Sequence, residues 1–308
     1  MEEQLSAFLA HLEAEQNYSL NTIAAYRNDL GQFVSFVQER FTQLNRWADV
    51  TEEHVENYVQ DMRHHSQPYA SSSIARKVAA VKSFFHFLFA RAIIEKDPTT
   101  HIESPKVKKR KPQTLTHQDV ESLLRAPMES KTKGPKNLRD AALLGVLYAT
   151  GMRVTEVVTL DLVELDLANS RLTCAGKDGQ IRELPFDDTV RQLLQAYLEK
   201  GRPYLAKSGQ ERALFLNHRG HQLTRQGLWL IIKAYAKQAK LESAVTPHTL
   251  RHSFAAHKLS NGSNLQEIQQ LLGHANISTT QIYTQLDMLV DDHEEEEIEE
   301  NWGEAELV

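Results

Sequence analysis

Six polar side chains occupy places that a helical core would not choose. Arg153 follows Gly151 at the head of the segment 154–160. His248 and Arg251 lie three residues apart in Thr246-Pro-His-Thr-Leu-Arg-His252. Lys177 sits in the turn Gly176-Lys-Asp-Gly179, His274 follows Gly273, and Tyr283 closes Ser278-Thr-Thr-Gln-Ile-Tyr283. Two guanidiniums can grip the non-bridging oxygens of one phosphate through bidentate, charge-assisted bonds. A phosphodiester transition state gains negative charge on those oxygens, so such donors stabilise it without a metal. A tyrosine hydroxyl, with an ordinary pKa of about 10, attacks phosphorus only when a base or nearby cations favour its oxyanion. A lysine at a hairpin tip can reach into a groove and protonate a leaving oxygen.

Each residue also has a plainer reading. Arg153 can be a surface arginine paired with Glu156 at i+3, Lys177 an ordinary turn residue, and Tyr283 a tyrosine at the edge of a core. His248 and His252 can be satisfied core histidines, or a zinc pair at i,i+4. Arg251 on the same face argues against zinc, because a fixed cation repels another. The chain contains no G-x-x-x-x-G-K-[ST], H-E-x-x-H, paired CxxC or G-x-S-x-G, so several common enzyme chemistries lose support and neither a cofactor nor a metal is implied.

The elements that must position these residues are mainly helical. Ser19 can cap a helix whose apolar positions Ile23, Tyr26, Leu30, Phe33, Phe36 and Val37 recur at helical spacing; similar runs cover roughly 53–63 and 71–88. No alternating strand pattern precedes residue 100, which predicts a small helical bundle. Residues 103–112, Glu-Ser-Pro-Lys-Val-Lys-Lys-Arg-Lys-Pro, read as a basic linker, either a solvated tether or a strap that follows a phosphate backbone. Thr116 and Asp119 then form a capping box, a helix over 137–149 stops at Gly151, and 171–186 reads as a β-hairpin with a Gly/Asp turn. Thr246 can cap, and Pro247 can open, a helix that Gly262 closes. That helix is apolar on both sides, which predicts buried polar groups near its start. Asn264 and Glu267 make a second capping box, Gly273 ends its helix, and Ser278 or Thr279 caps a short helix bearing Tyr283.

Length and charge bound the rest. A chain of 308 residues suggests two domains at about 150 residues each. The single cysteine, Cys174, cannot form an internal disulfide, and the acidic start Met1-Glu-Glu-Gln does not read as a signal peptide. No uncharged apolar stretch approaches the roughly 18 residues of a membrane span, so the expectation is a soluble, cytoplasmic protein with no membrane partner. The net charge of −6 hides a division: residues 287–308 carry eleven Asp and Glu and no Lys or Arg, which leaves 30 acids against 35 basic residues in the first 286. The body is therefore suited to a polyanion. The acidic segment reads as a solubilising tail, or as a cover for the basic face that DNA or a partner displaces.

These residues also resemble a family, the tyrosine recombinases, and within it the bacterial Xer type. The matching stretches are Thr150-Gly-Met-Arg-Val-Thr-Glu156, His248-Thr-Leu-Arg251, Leu272-Gly-His274 and Ser278-Thr-Thr-Gln-Ile-Tyr283, in that order and spacing, with Ser19-Leu-Asn-Thr and Tyr26 in the N-terminal bundle. The resemblance implies a mainly α fold: an N-terminal helical, SAM-like core-binding domain over 1–104, a linker over 105–112, a mainly helical catalytic domain with a small antiparallel β-sheet over 113–287, and the acidic tail 288–308. It implies that Arg153 and Arg251 clamp the phosphate, His248 is the general base, Lys177 the general acid, His274 a phosphate-bonding histidine and Tyr283 the nucleophile. The family reaction passes through a 3′-phosphotyrosine and a Holliday junction, needs neither ATP nor metal, and resolves chromosome or plasmid dimers at cell division. Its implied partners are a double-stranded DNA recombination site, a homo- or hetero-tetramer on two duplexes, a second Xer recombinase and a DNA-translocase activator. A phage or mobile-element integrase of the same family, and a non-catalytic architectural DNA-binding protein, are the alternatives. The long acidic segment after Leu286 departs from the family's short C-terminal helix.

Overall fold

The computed structural model describes residues 1–14, 18, 20–64, 66–105, 113–130, 133–176, 181–207, 209 and 211–273. The chain divides into two compact units, Met1–Arg110 and Lys111–Val308. Ser19, most of the basic linker, the hairpin turn with Lys177, and everything from His274 onward, including Tyr283 and the acidic tail, lie outside the described residues.

Helices α1 (Glu2–Ala14), α2 (Leu20–Arg40), α3 (Glu52–His64) and α4 (Ser71–Ala90) build the first unit. Each turns an apolar stripe inward, and the aromatic positions of those stripes meet. Phe33 packs edge-on against Tyr58 and Phe85, and Phe8 against Phe84, with ring centroids 5.1–6.0 Å apart. Such edge-to-face pairs add about 0.5–1.5 kcal/mol each beyond area burial. Inside this core Asp29, 1% exposed, accepts from Lys77 Nζ at 3.1 Å and from Arg76, and Lys77 also donates to Gln32 at 2.6 Å. The pair ties α2 to α4, and removing either partner would strand a buried charge.

The second unit is built around α6 (Pro135–Thr150), which is buried nearly all round from Arg139 to Leu147. A helix apolar on every side needs neighbours on every side. α5 (His117–Glu129), α7 (Val154–Thr159), α8 (Asp188–Lys200), α9 (Arg202–Leu205) and α11 (Pro247–Ser260) supply them. α10 (Arg225–Gln238) packs on α5 and α7, and α12 (Leu265–Leu272) on α11. Thr116 and Asp119 form the expected capping box, and Gly151 ends α6 with φ +59°.

The hairpin is present as β2 (Arg171–Ala175) and β3 (Ile181–Pro185), and β1 (Leu165–Asp166), which the sequence pattern missed, adds a third antiparallel strand in the order β1-β2-β3. The register Leu172↔Leu184 and Cys174↔Arg182 puts those four residues on the face turned toward the helices. The described part is thus mainly α with one small antiparallel sheet.

Candidate active site

α11 is the element on which the site is built. Its start is fixed as expected: Thr246 accepts from Thr249 N at 3.1 Å and Pro247 opens the first turn. Two side contacts set its position. Ser253, fully buried, accepts from Leu115 N at 2.8 Å, and its hydroxyl donates to Thr249 O at 2.9 Å. One turn later, His257 Nδ1 lies 2.7 Å from the Tyr148 hydroxyl of α6, and its ring stacks on His117 at 3.7 Å. Burial, and then the neighbouring His117 ring, push the His257 pKa down to about 4, although a bond to the Leu115 backbone works the other way. His257 is therefore neutral at pH 7.

Held there, α11 treats its polar residues differently. Arg251 is 6% exposed, and its guanidinium donates to the carbonyls of Gly151 and, at 2.6 Å, Leu272. His248, one turn earlier, is exposed. The expectation of buried polar groups near the helix start holds for Arg251 and fails for His248, because Pro247 and Leu250 take up the inward positions beside it. The reading of His248 and His252 as two core histidines falls with it. His252 is half-buried, and burial, then His248 and Arg251, lower its pKa. Among the described residues no group of three His, Cys, Asp or Glu could hold a metal ion.

Arg153 reaches the same place from α7, where it is the N-cap residue. Its Nη2 donates to Gly273 O at 2.7 Å, so the two arginines, 98 positions apart, bind consecutive carbonyls at the C-terminus of α12. That end of a helix carries the negative pole of the peptide dipoles and leaves carbonyls unpaired, which is where cations are favoured. Gly273 takes φ +62°, so the chain turns sharply there and His274 follows directly. Asn264 caps α12 by accepting from Glu267 N at 2.7 Å, but the reciprocal bond of the expected capping box is not formed.

Sequence reading reduced Glu156 to a plain salt-bridge partner and overlooked Arg182. Glu156 accepts from Arg153 twice, from Nη1 at 2.9 Å and from the backbone N at 2.7 Å, and also from Arg182 Nη2 at 2.7 Å. The carboxylate therefore links the α7 arginine to β3. The sequence carried no signal for Arg182: on β3 the apolar Ile181 is 73% exposed while Arg182 faces inward beside Leu184, the reverse of an ordinary half-buried strand. Burial first, and the Glu156 carboxylate second, push the Cys174 thiol up to about 11, so the sulfur opposite Arg182 stays protonated.

Comparison with known proteins gives the family. The profile of the Phage integrase family matches residues 113–289, and that of the Phage integrase N-terminal SAM-like domain matches residues 5–92. The tyrosine recombinase XerC of Roseiflexus castenholzii is 51% identical over 288 residues, 93% of this chain and 90% of that protein. The chain belongs to the tyrosine recombinases. This tyrosine recombinase is also 41% identical to the tyrosine recombinase XerD of Halalkalibacterium halodurans, over 91% of this chain and 92% of that protein. Among solved structures, XerH site-specific recombinase bound to palindromic difH substrate matches with a TM-score of 0.72 at 20% identity, covering 94% of this chain and 83% of that one. A lambda integrase dimer bound to a COC' core site matches with a TM-score of 0.71 at 15% identity, covering 92% and 94%. These two likenesses establish the shared fold. The XerC and XerD relatives and the family profile make this protein a site-specific tyrosine recombinase, a DNA strand-transferase.

Proposed function

We propose that this recombinase cuts and rejoins duplex DNA at the end of α12, with the reacting phosphate held between Arg153 and Arg251. The observation that carries this reading is their convergence on the carbonyls of Gly273 and Leu272. Two fixed guanidiniums stand beside a turn whose next residue is a histidine. In the reaction, the Tyr283 hydroxyl attacks phosphorus and its proton passes to His248. The 5′ oxygen leaves with a proton from Lys177, and a 3′-phosphotyrosine remains. A 5′ hydroxyl from a partner duplex then displaces the tyrosine, so strands exchange through a Holliday junction. His274 bonds the phosphate in both steps, and the bond energy is kept in the phosphotyrosine, so ATP is not consumed.

The DNA-bound state of XerH and of the lambda integrase supports duplex DNA as the partner. On the resemblance to the Xer type, we extend this proposal to four protomers on two sites, a second Xer recombinase in the complex, activation by a DNA translocase and a role in resolving chromosome dimers in the cytoplasm. Division of labour between a core-binding domain, 1–104, and a catalytic domain, 113–287, accords with the two profiles.

The test is a supercoiled plasmid carrying two direct copies of the host's dimer-resolution site. The account expects deletion circles and trapped Holliday junctions that depend on both copies. Relaxation of supercoils without pairing of sites would point instead to a topoisomerase-like nicking and rejoining activity. Tight binding with no strand breakage in any combination would favour an architectural protein.

A further inference from the structure

Arg153 does not have its carboxylate to itself. Arg182 donates one bond to Glu156, while its Nε and Nη1 are buried and have no hydrogen-bond partner among the described residues. Its side chain is only 12% exposed. Buried donors of a charged group are costly to leave unused and call for an explanation. Gly273 supplies part of it: a Cβ there would collide with Arg182 Nη1 and come within 3.5 Å of Arg153 Nη1, so both guanidiniums press against that turn.

Charge supplies the rest. Glu156 takes two bonds from Arg153, through the side chain and through the backbone N–H. In a half-buried setting a carboxylate so bound would cancel most of the attraction that Arg153 offers to a phosphate, because an opposite charge at hydrogen-bond distance is felt far more strongly there than in water. Arg182 binds the same carboxylate oxygen as the Arg153 backbone, at 2.7 Å. Three groups in contact, two cations and one anion, leave one positive charge over.

We propose that Arg182 is a positioning residue of the phosphate clamp, which neutralises Glu156 so that Glu156 can orient Arg153 without cancelling its charge toward DNA. This rests on the strand-transfer reading given above. In it Arg182 does not touch the reacting atoms. Its role is to keep the geometric benefit of the Arg153–Glu156 contact while removing the electrostatic cost. A neutral residue at 182 should therefore harm the clamp only while Glu156 remains charged, and a scaffold role makes the opposite prediction.

The experiment uses the full chain and four variants, Arg182→Gln, Arg182→Lys, Glu156→Gln and the double variant Arg182→Gln/Glu156→Gln. Two readouts are taken: single-turnover formation of the covalent adduct on a nicked duplex, and the salt dependence of binding to the intact duplex, which needs no chemistry. We expect Arg182→Gln to slow adduct formation roughly 10- to 100-fold and to flatten the log–log salt slope by about one phosphate contact, or about 0.9. Arg182→Lys should stay within about fivefold of wild type, and the double variant should recover at least tenfold over Arg182→Gln and regain the slope. A wild-type rate and slope for Arg182→Gln, or a double variant worse than Arg182→Gln in both readouts, would overturn the proposal. A wild type that binds the duplex but forms no adduct would overturn the strand-transfer reading instead, with the slope data still deciding the role of Arg182.

Discussion

Arg153 and Arg251 donate to neighbouring carbonyls, Gly273 O at 2.7 Å and Leu272 O at 2.6 Å, and Arg251 also binds Gly151 O. Four chain segments are thereby stitched together: α11, the end of α6, the start of α7 and the end of α12. The arginines read as the phosphate clamp also hold the last turn before His274. Clamp and scaffold are one set of bonds, so a variant at either arginine is expected to lose stability as well as activity.

Gly151 is a point of that stitching closed in by apolar side chains. It takes φ +59°, and a Cβ there would overlap the Phe254 ring and sit 2.9 Å from Leu272 Cδ2. Gly151→Ala combines a left-handed backbone, unfavourable for alanine by about 1–2 kcal/mol, with overpacking that costs about 1–3 kcal/mol. Urea denaturation should show a loss of about 2–5 kcal/mol. A loss below about 0.5 kcal/mol would mean that α6 and α11 do not meet as described.

His257 gives the stability a pH dependence of defined sign. Its folded pKa, about 4, lies below the ordinary 6.5, so the unfolded chain holds more protons in between. Stability should be unaffected by this group above pH 7, begin to fall as pH drops through about 6.5, and reach its full loss near pH 4. Half-exposure limits the effect to on the order of 1–2 kcal/mol. His252 shifts in the same direction, so the comparison that isolates His257 is wild type against His257→Gln. The variant should be less stable at pH 7.5, where it loses the Tyr148 contact, and the gap should narrow toward pH 4.5. A constant gap across that range would contradict the assigned pKa.

The acidic segment makes a separate prediction. The family profile ends at residue 289, and residues 290–308 carry ten Asp and Glu and no Lys or Arg. If they cover the basic body, deleting 291–308 should tighten duplex binding several-fold at 50 mM salt and leave it nearly unchanged at 300 mM, because such screening acts over about 10 Å at 0.1 M. Fluorescence anisotropy at both salts checks this. Equal affinities at low salt would leave the segment a solubilising tail.

Local signals account for most of what the sequence made legible. Thr116 with Asp119, Thr246 with Pro247, and the glycines at 151 and 273 act within a few residues, and the structure uses each as its type dictates. β1 escaped because two residues cannot show an alternation. Arg182 escaped because its role depends on a register that turns Ile181 outward and brings Cys174 opposite the arginine. The burial of Arg251 beside an exposed His248 was equally out of reach, since it depends on Gly151 and Leu272, which lie 100 and 21 positions away. The remaining site residues, Lys177, His274 and Tyr283, rest on sequence motifs and their spacing.

The most direct test of the central claim is a nicked suicide duplex carrying the host's candidate dimer-resolution site, on which a cut strand cannot be rejoined. Wild type should form an SDS-stable protein–DNA adduct whose DNA is joined through a 3′ phosphate to Tyr283, as read by mass spectrometry of the adduct peptide, and Tyr283→Phe should form none while binding the duplex equally well. An adduct formed equally by both proteins would place the nucleophile elsewhere and contradict the account.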